Sequence, residues 1–409
     1  MRIAILTNEY PPHIYGGAGV HVHFLSKELA AMDGGRHLLK VLCFGEHKES
    51  ESNPTVQGMK VDFTFPFQEP RNMRLLETIF RNVLMTGTLK EVDIIHCHTW
   101  YTHLAGCLLK QLLGKPLVLT THSLEPHRPW KEEQLGSGYR VSTWMEKTAY
   151  ENADGVIAVS RSMQDDVNGL YGVPLEKVRV IYNGIDVERY KPTFNLEVLA
   201  RYGIDPDRPY ILFVGRITHQ KGIMHLLKAV EHLINGVQVV LCATDPDTEE
   251  LGREVDKRIE ELKTRDGRAI IHVSSFVPTD DIITLYSHAA IFVCPSIYEP
   301  FGIINLEAMA CGTPVVATAM GGIKEVVAPQ ETGLLVPFDH KCPEDHEPHV
   351  AAELARNLAE AMNALLSDPE KRRTMGNKAR RRVEELFSWR QVARQTLDFY
   401  QEIMEGQKP

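Results

Sequence analysis

Short apolar runs alternate with longer amphipathic segments along this chain, the pattern of parallel strands flanked by helices. In the first half the expected strands are Ile3–Thr7, Leu39–Phe44, Ile94–Cys97, Leu117–Thr121, Gly155–Val159 and Val178–Tyr182. Runs this apolar suit strands covered by helices on both faces. The pattern then lapses. Asn183-Gly184-Ile185-Asp186 has turn chemistry, and Pro192, Pro206 and Pro209 punctuate the next stretch of chain. It restarts with Tyr210–Val214, Val237–Cys242, Ile270–Val273, Ile291–Cys294 and Val315–Ala317. A chain of 409 residues exceeds what one core usually supports, so the two series read as two α/β domains. Their expected extents are 1–190 and 191–387, with a hinge within Asn183–Pro209. The last segment, Ser388–Met404, has apolar residues at helical spacing and no strand after it. Residues 388–409 are therefore expected to pack back on the first domain.

The composition is ordinary for a folded protein, with 43% hydrophobic and 24% charged residues. A formal charge of −9 argues against nucleic-acid binding and requires any anionic substrate to be met by local cations. No apolar run approaches the ~18 residues that span a bilayer. The stretch after Met1-Arg2 meets Asn8-Glu9 too soon for a secretory signal. Seven scattered cysteines without a C-x-x-C pair suit reduced thiols, so a cytoplasmic location is expected.

Three loops carry chemistry. The first strand runs into Tyr15-Gly16-Gly17-Ala18-Gly19 and a helix expected from Val20 to Met32. Glycine lets the backbone approach a bulky anion, and a helix N-terminus supplies N–H groups and partial positive charge. The stretch is not the G-x-G-x-x-G fingerprint, so a tight strand–helix turn also accounts for it. In the second half, Arg216 ends a strand and Lys221 opens the next helix, at the carboxyl end of a sheet where open α/β folds bind ligands. Two cations there can hold a diphosphate and stabilise it as it leaves, although an isolated Arg/Lys pair is commonly just solvated surface. Third, Tyr298-Glu299-Pro300-Phe301-Gly302-Ile303 leads into a helix containing Glu307 that stops at Cys311-Gly312-Thr313-Pro314. Acidic residues beside a diphosphate make sense as partners of sugar or ribose hydroxyls; alone, Glu299 reads as a helix cap.

Together, Gly16-Gly17, Gly215-Arg216 with Lys221, and Glu299-Pro-Phe-Gly with Glu307 resemble the family-4 glycosyltransferases. The resemblance covers essentially the whole chain. It implies the GT-B fold, two Rossmann-like doubly wound parallel-sheet domains facing a cleft, with a C-terminal helix returning to the first domain. Glu9-Tyr10-Pro11-Pro12 and Thr121-His122-Ser123-Leu124-Glu125-Pro126, followed by Arg128-Pro129-Trp130-Lys131, are similar to the ADP-glucose branch. That branch holds bacterial glycogen synthases and maltose-1-phosphate synthases, and the actinobacterial-type members are the most similar.

The resemblance implies a retaining glucosyltransferase that forms an α-1,4 bond on a glucan or on glucose-1-phosphate. Arg216 and Lys221 would bind the donor diphosphate, with Gly17 and the amides of Phe301, Gly302 and Ile303. Glu299 would contact the transferred glucose and Glu307 the ribose. His122 would sit near the anomeric carbon, its carbonyl helping to stabilise oxocarbenium-like charge, while the acceptor attacks from the leaving-group face. No metal and no cofactor beyond the substrate ADP-glucose is expected. Donor groups in one domain and His122 in the other imply closure around the hinge.

Two departures bear on the acceptor. Polymer-elongating glycogen synthases commonly carry Lys at or near Tyr15, and Asp after the paired histidines, where this chain reads His96-Cys97-His98-Thr99-Trp100. Tyr15, Thr99 and Trp100 are therefore candidate acceptor residues, and Arg128, Lys131 and Arg140 could recognise an acceptor phosphate. Another sugar nucleotide or acceptor would suit the same motifs. A glucan-binding protein that had lost catalysis should show erosion at the cations or at Glu299, and all are present.

His96, Cys97, His98 and His103 lack a second cluster at zinc spacing, and His96 and His98 share a strand face as an expected polar wall. Asp205-Pro-Asp207 and Asp245-Pro-Asp247 read as turns rather than metal ligands. Arg71–Met85 has the arginines of an interfacial helix, but Glu77 and the acidic balance argue against membrane association. An oligomer is compatible with the sequence.

Overall fold

The computed structural model describes residues 1–14, 16–47, 52–62, 70–128, 132, 136, 138–337 and 348–406, with residues 70–72 and 348–350 described by backbone alone. The chain divides into two compact units, Met1–Gly184 with Trp389–Pro409, and Ile185–Ser388. The division thus falls after Gly184, not after residue 190. The Ile185 amide donates to the Phe387 carbonyl at 2.8 Å. The Arg380 guanidinium donates to the carbonyls of Val187 and Tyr190 at 3.1 and 2.5 Å. Residues 185–190 are thereby tied to the second unit. A Cβ on Gly184 would lie 2.6 Å from the Trp389 ring, so only glycine lets the chain pass there.

Among the described residues the first unit holds seven parallel strands, β1 (Arg2–Leu6), β2 (Leu38–Phe44), β3 (Thr55–Met59), β4 (Ile94–His98), β5 (Leu117–Thr121), β6 (Gly155–Ala158) and β7 (Val178–Val180). Their order is β3-β2-β1-β4-β5-β6-β7. The second holds β8 (Tyr210–Arg216), β9 (Gln238–Thr244), β10 (Ala269–Val273), β11 (Ile291–Cys294), β12 (Val315–Thr318) and β13 (Gly333–Val336). Its order is β10-β9-β8-β11-β12-β13, again all parallel. Each sheet reverses direction of growth once, at β1/β4 and at β8/β11. A crevice opens at the carboxyl ends of such strand pairs.

Each apolar run coincides with a strand to within two residues at either end. The edge strands β3 and β13 are not among the expected runs. β3 reads Thr-Val-Gln-Gly-Met, too polar for a buried run, and its Gly58 passes so close that a Cβ would meet the Gly45 carbonyl at 2.2 Å. β13 is four residues long, and a Cβ on its Gly333 would meet the Val315 carbonyl at 2.3 Å.

Strand alternation in β1 sends Ala4 and Leu6 to one face and Ile3 and Ile5 to the other, and both faces are buried. Helix Gly17–Ala31 covers the second face through Val22, Leu25 and Leu29. The returning helix Trp389–Gly406 joins it there, burying Trp389, Val392, Leu397 and Tyr400.

Candidate active site

In the second unit the chain emerges from β8 at Arg216 and turns through Lys221 into helix Ile223–Val230. Gly222 caps that helix at φ 65°, and a Cβ on it would lie 2.0 Å from the Pro295 carbonyl. Glycine thus lets this turn close on the end of β11. Lys221 Nζ donates to Glu299 Oε2 at 2.7 Å, and Ser296 Oγ donates to the same oxygen at 3.3 Å. The Glu299 side chain is 9% exposed and that of Lys221 21%, so removing either partner strands a largely desolvated charge.

The Glu299–Gly302 loop is held from the far side by Gly321 and Gly322, whose backbone touches it. A Cβ on Gly321, at φ 47°, would meet the Glu299 carbonyl at 2.1 Å, and one on Gly322 the Pro300 carbonyl at 2.5 Å. The Gly322 amide donates to the Glu299 carbonyl at 3.0 Å. This pair is not among the candidates above, although Gly-Gly soon after β12 repeats the pattern of Gly16-Gly17 after β1. Gly302, at φ 99°, is the N-cap of helix Ile303–Ala310 and has no side chain with which to cap it.

Glu307 lies one turn into that helix. Its Oε1 accepts from the Tyr190 hydroxyl at 3.2 Å and its Oε2 from the Tyr286 hydroxyl at 2.9 Å. Burial raises its pKa, which the two donors partly counter. Burial, then the neighbouring Glu307 carboxylate, raises the pKa of both tyrosines. Neither tyrosine was a sequence candidate.

Arg216 donates to Asp247 Oδ1 at 3.0 Å. Asp247 is 11% exposed at its side chain against 53% for Arg216, so a fixed carboxylate steers a half-exposed cation. Asp245 adopts φ 49°, and Asp247 holds Arg216. The Asp207 amide donates to Asp205 Oδ1 at 3.0 Å, a turn like those expected.

In the first unit Gly17 begins its helix three residues earlier than expected, with Gly16 as N-cap. The Gly16 amide donates to Glu9 Oε2 at 2.9 Å, and a Cβ on Gly19 would meet that oxygen at 2.8 Å. Across the β1/β4 reversal, Thr99 adopts φ 67°, and its Oγ1 donates to Asn8 Oδ1 at 2.8 Å. Trp100 is 4% exposed and stacked on Tyr101. In this conformation its ring is packed within the first unit.

Tyr15 and Lys131 lie outside the described residues. Arg140 is exposed. Arg128 donates to Ser123 Oγ at 3.3 Å and lies 3.8 Å from the buried Glu125 carboxylate.

His122 follows β5 and stands beside His98 at the end of β4, the two rings joined Nε2 to Nδ1 at 2.9 Å. His21 completes the group from helix Gly17–Ala31, its Nδ1 2.6 Å from Asn183 Oδ1. His96 reaches the Tyr400 hydroxyl at 2.5 Å and Thr120 Oγ1 at 2.6 Å. His96 and His98 share a face, their rings 4.2 Å apart, but both are fully buried. The expected polar wall is in fact core. Burial lowers these imidazoles, His21 to about 4, His96 to about 3, and His98 and His122 well below the usual value.

The segment read as a possible interfacial helix lies in helix Pro70–Thr88. Its Arg81 is bound to Glu77 at 3.2 Å and lies over the Phe44 ring, while the Arg71 side chain falls outside the described set. Among the described residues no helix is long and apolar enough to cross a membrane.

Residues 15–189 match the model of the Glycosyltransferase Family 4 domain, and 196–382 that of the Glycosyl transferases group 1 domain. The chain is 43% identical to the alpha-maltose-1-phosphate synthase of Mycolicibacterium smegmatis over 98% of its length and 100% of the relative's. It is 28% identical to the glycogen synthase of Mycobacterium tuberculosis, over 100% of this chain and 96% of that one. Among solved structures, sucrose-phosphate synthase from Thermosynechococcus elongatus superposes with a TM-score of 0.76 at 27% identity, covering 99% of both chains. With its two Rossmann-like units, this chain belongs to the family-4 (group 1) glycosyltransferases of the GT-B fold.

Proposed function

We propose that this glycosyltransferase moves glucose from ADP-glucose to glucose-1-phosphate with retention, releasing ADP and forming the α-1,4 bond of maltose-1-phosphate. The observation that carries this reading is the full-length identity of 43% to an alpha-maltose-1-phosphate synthase, against 28% to a glycogen synthase. Thr99, where glycogen synthases commonly carry Asp, points the same way, as does Arg128 beside the His122 loop.

In this reading Arg216 and Lys221 take the donor diphosphate, with Gly17 and the amides of Phe301–Ile303. Both cations carry carboxylate partners here, so the arriving diphosphate exchanges with them. Drawing Lys221 away from Glu299 frees that carboxylate to accept sugar hydroxyls. Glu307, already oriented by Tyr190 and Tyr286, accepts from the ribose. As ADP departs, Lys221 and Arg216 stabilise the developing negative charge. A donor phosphate oxygen takes the acceptor proton on the same face, and His122 attends the anomeric carbon.

The deciding assay supplies ADP-glucose with glucose-1-phosphate or with glycogen, and separately UDP-glucose with each. Maltose-1-phosphate from the first pair is the expected product. Transfer to glycogen alone, or a preference for UDP-glucose, would refute the acceptor or the donor assignment respectively.

A further inference from the structure

We propose that His21, His98 and His122 form a three-nitrogen site for a borderline divalent cation, Zn²⁺ in the first instance, whose capture inhibits transfer. The three residues come from helix Gly17–Ala31, the end of β4 and the residue after β5. One ring nitrogen of each lies within 4.8 Å of the others.

Hydrogen bonding assigns the free nitrogens of His21 and His98. An amide oxygen only accepts, so His21 Nδ1 carries the proton it donates to Asn183 Oδ1, and the Nε2 lone pair is left over. Such a bond on the far ring nitrogen is what fixes a metal-ligating tautomer. His21 Nε2 and His98 Nε2 are buried and have no hydrogen-bond partner, in residues 1% and 0% exposed. Uncompensated polar atoms of this kind are rare in folded proteins. His96 stands apart because both of its nitrogens are taken, by Tyr400 and Thr120.

Zinc–nitrogen bonds of about 2.05 Å place tetrahedral ligands about 3.3 Å apart. The widest separation therefore contracts by at most about 1.5 Å on capture, through ring rotation, most readily at His122, the least buried of the three. Burial keeps the imidazoles neutral, the form that ligates. Imidazole donors select Zn²⁺ or Co²⁺ over Mg²⁺ or Ca²⁺. Three protein ligands leave a fourth position for water or an anionic oxygen. Binding stands on the geometry alone, whereas inhibition rests on the role proposed for His122.

The test uses the full chain, first dialysed against chelator. Titration with Zn²⁺ should show one ion per chain, and Co²⁺ should give the visible absorption of a low-coordinate nitrogen site, with neither signal from Mg²⁺. His21→Gln should weaken zinc binding at least tenfold, while His103→Phe, outside the triad, should retain it. Failure of the wild-type chain to retain Zn²⁺ or to develop the Co²⁺ spectrum overturns the site, whatever any variant does. Binding without loss of turnover overturns only the inhibitory consequence.

Discussion

Acid should unfold the first unit well before it titrates ordinary carboxylates, because that unit buries neutral histidines. His21, His96, His98 and His103 are at most 2% exposed. Burial lowers His21 to about 4, and His96 and His103 to about 3, with His98 also well below the usual range. In the unfolded chain each titrates near 6.5. Below that pH the unfolded state binds protons that the folded state refuses, so stability falls as pH falls and continues to fall until about pH 3. From pH 7.5 to 5.5 each such group costs about 1.4 kcal/mol, and the four together about 5 kcal/mol. That is comparable with the whole stability of a small domain, roughly 5–15 kcal/mol. His23 and His47, also lowered by burial, add in the same sense.

The assay has a built-in reporter. All four tryptophans, Trp100, Trp130, Trp144 and Trp389, lie in the sequence of the first unit, so their fluorescence follows it alone. Urea titrations from pH 7.5 to 5.5 should show unfolding stability dropping by about 5 kcal/mol, with about four protons taken up on unfolding near pH 5.5. His103→Phe should lower that uptake by one proton, since neither ring nitrogen of His103 has a hydrogen-bond partner to lose. A stability that changes by less than about 1 kcal/mol over this range would refute the reasoning, since it would mean the imidazoles charge in place.

Three further outcomes are expected. Lys221→Ala should reduce kcat roughly 100- to 1,000-fold through loss of leaving-group stabilisation, measured as ADP release under saturating donor. Tyr286→Phe should raise the donor KM about five- to thirtyfold, as expected for about 1–2 kcal/mol from one buried hydrogen bond to a carboxylate, with a smaller effect on kcat. Gly321→Ala should cost at least about 2 kcal/mol in a thermal or urea melt followed by circular dichroism, since the new Cβ falls 2.1 Å from the Glu299 carbonyl at φ 47°.

Local chemistry made the two parallel sheets legible in the sequence. Central strands buried on both faces must be apolar throughout, and the glycines and prolines between them mark turns by φ alone. The same locality exposed Arg216, Lys221, Glu299 and Glu307 as candidates, because a strand end and a helix start put them at the carboxyl edge of one sheet. Only the tertiary structure decided what surrounds them. Tyr190 reaches Glu307 across 117 residues, His21 reaches Asn183 across 162, and Tyr400 reaches His96 across 304. Pairings at such separations leave no periodicity to read. The edge strand β3 escaped for a related reason, since an edge position does not require a continuous apolar run. The histidines beside β4 looked like a polar wall from strand alternation alone. Packing by helix Gly17–Ala31 and the returning helix made them core, and burial rather than sequence set their charge.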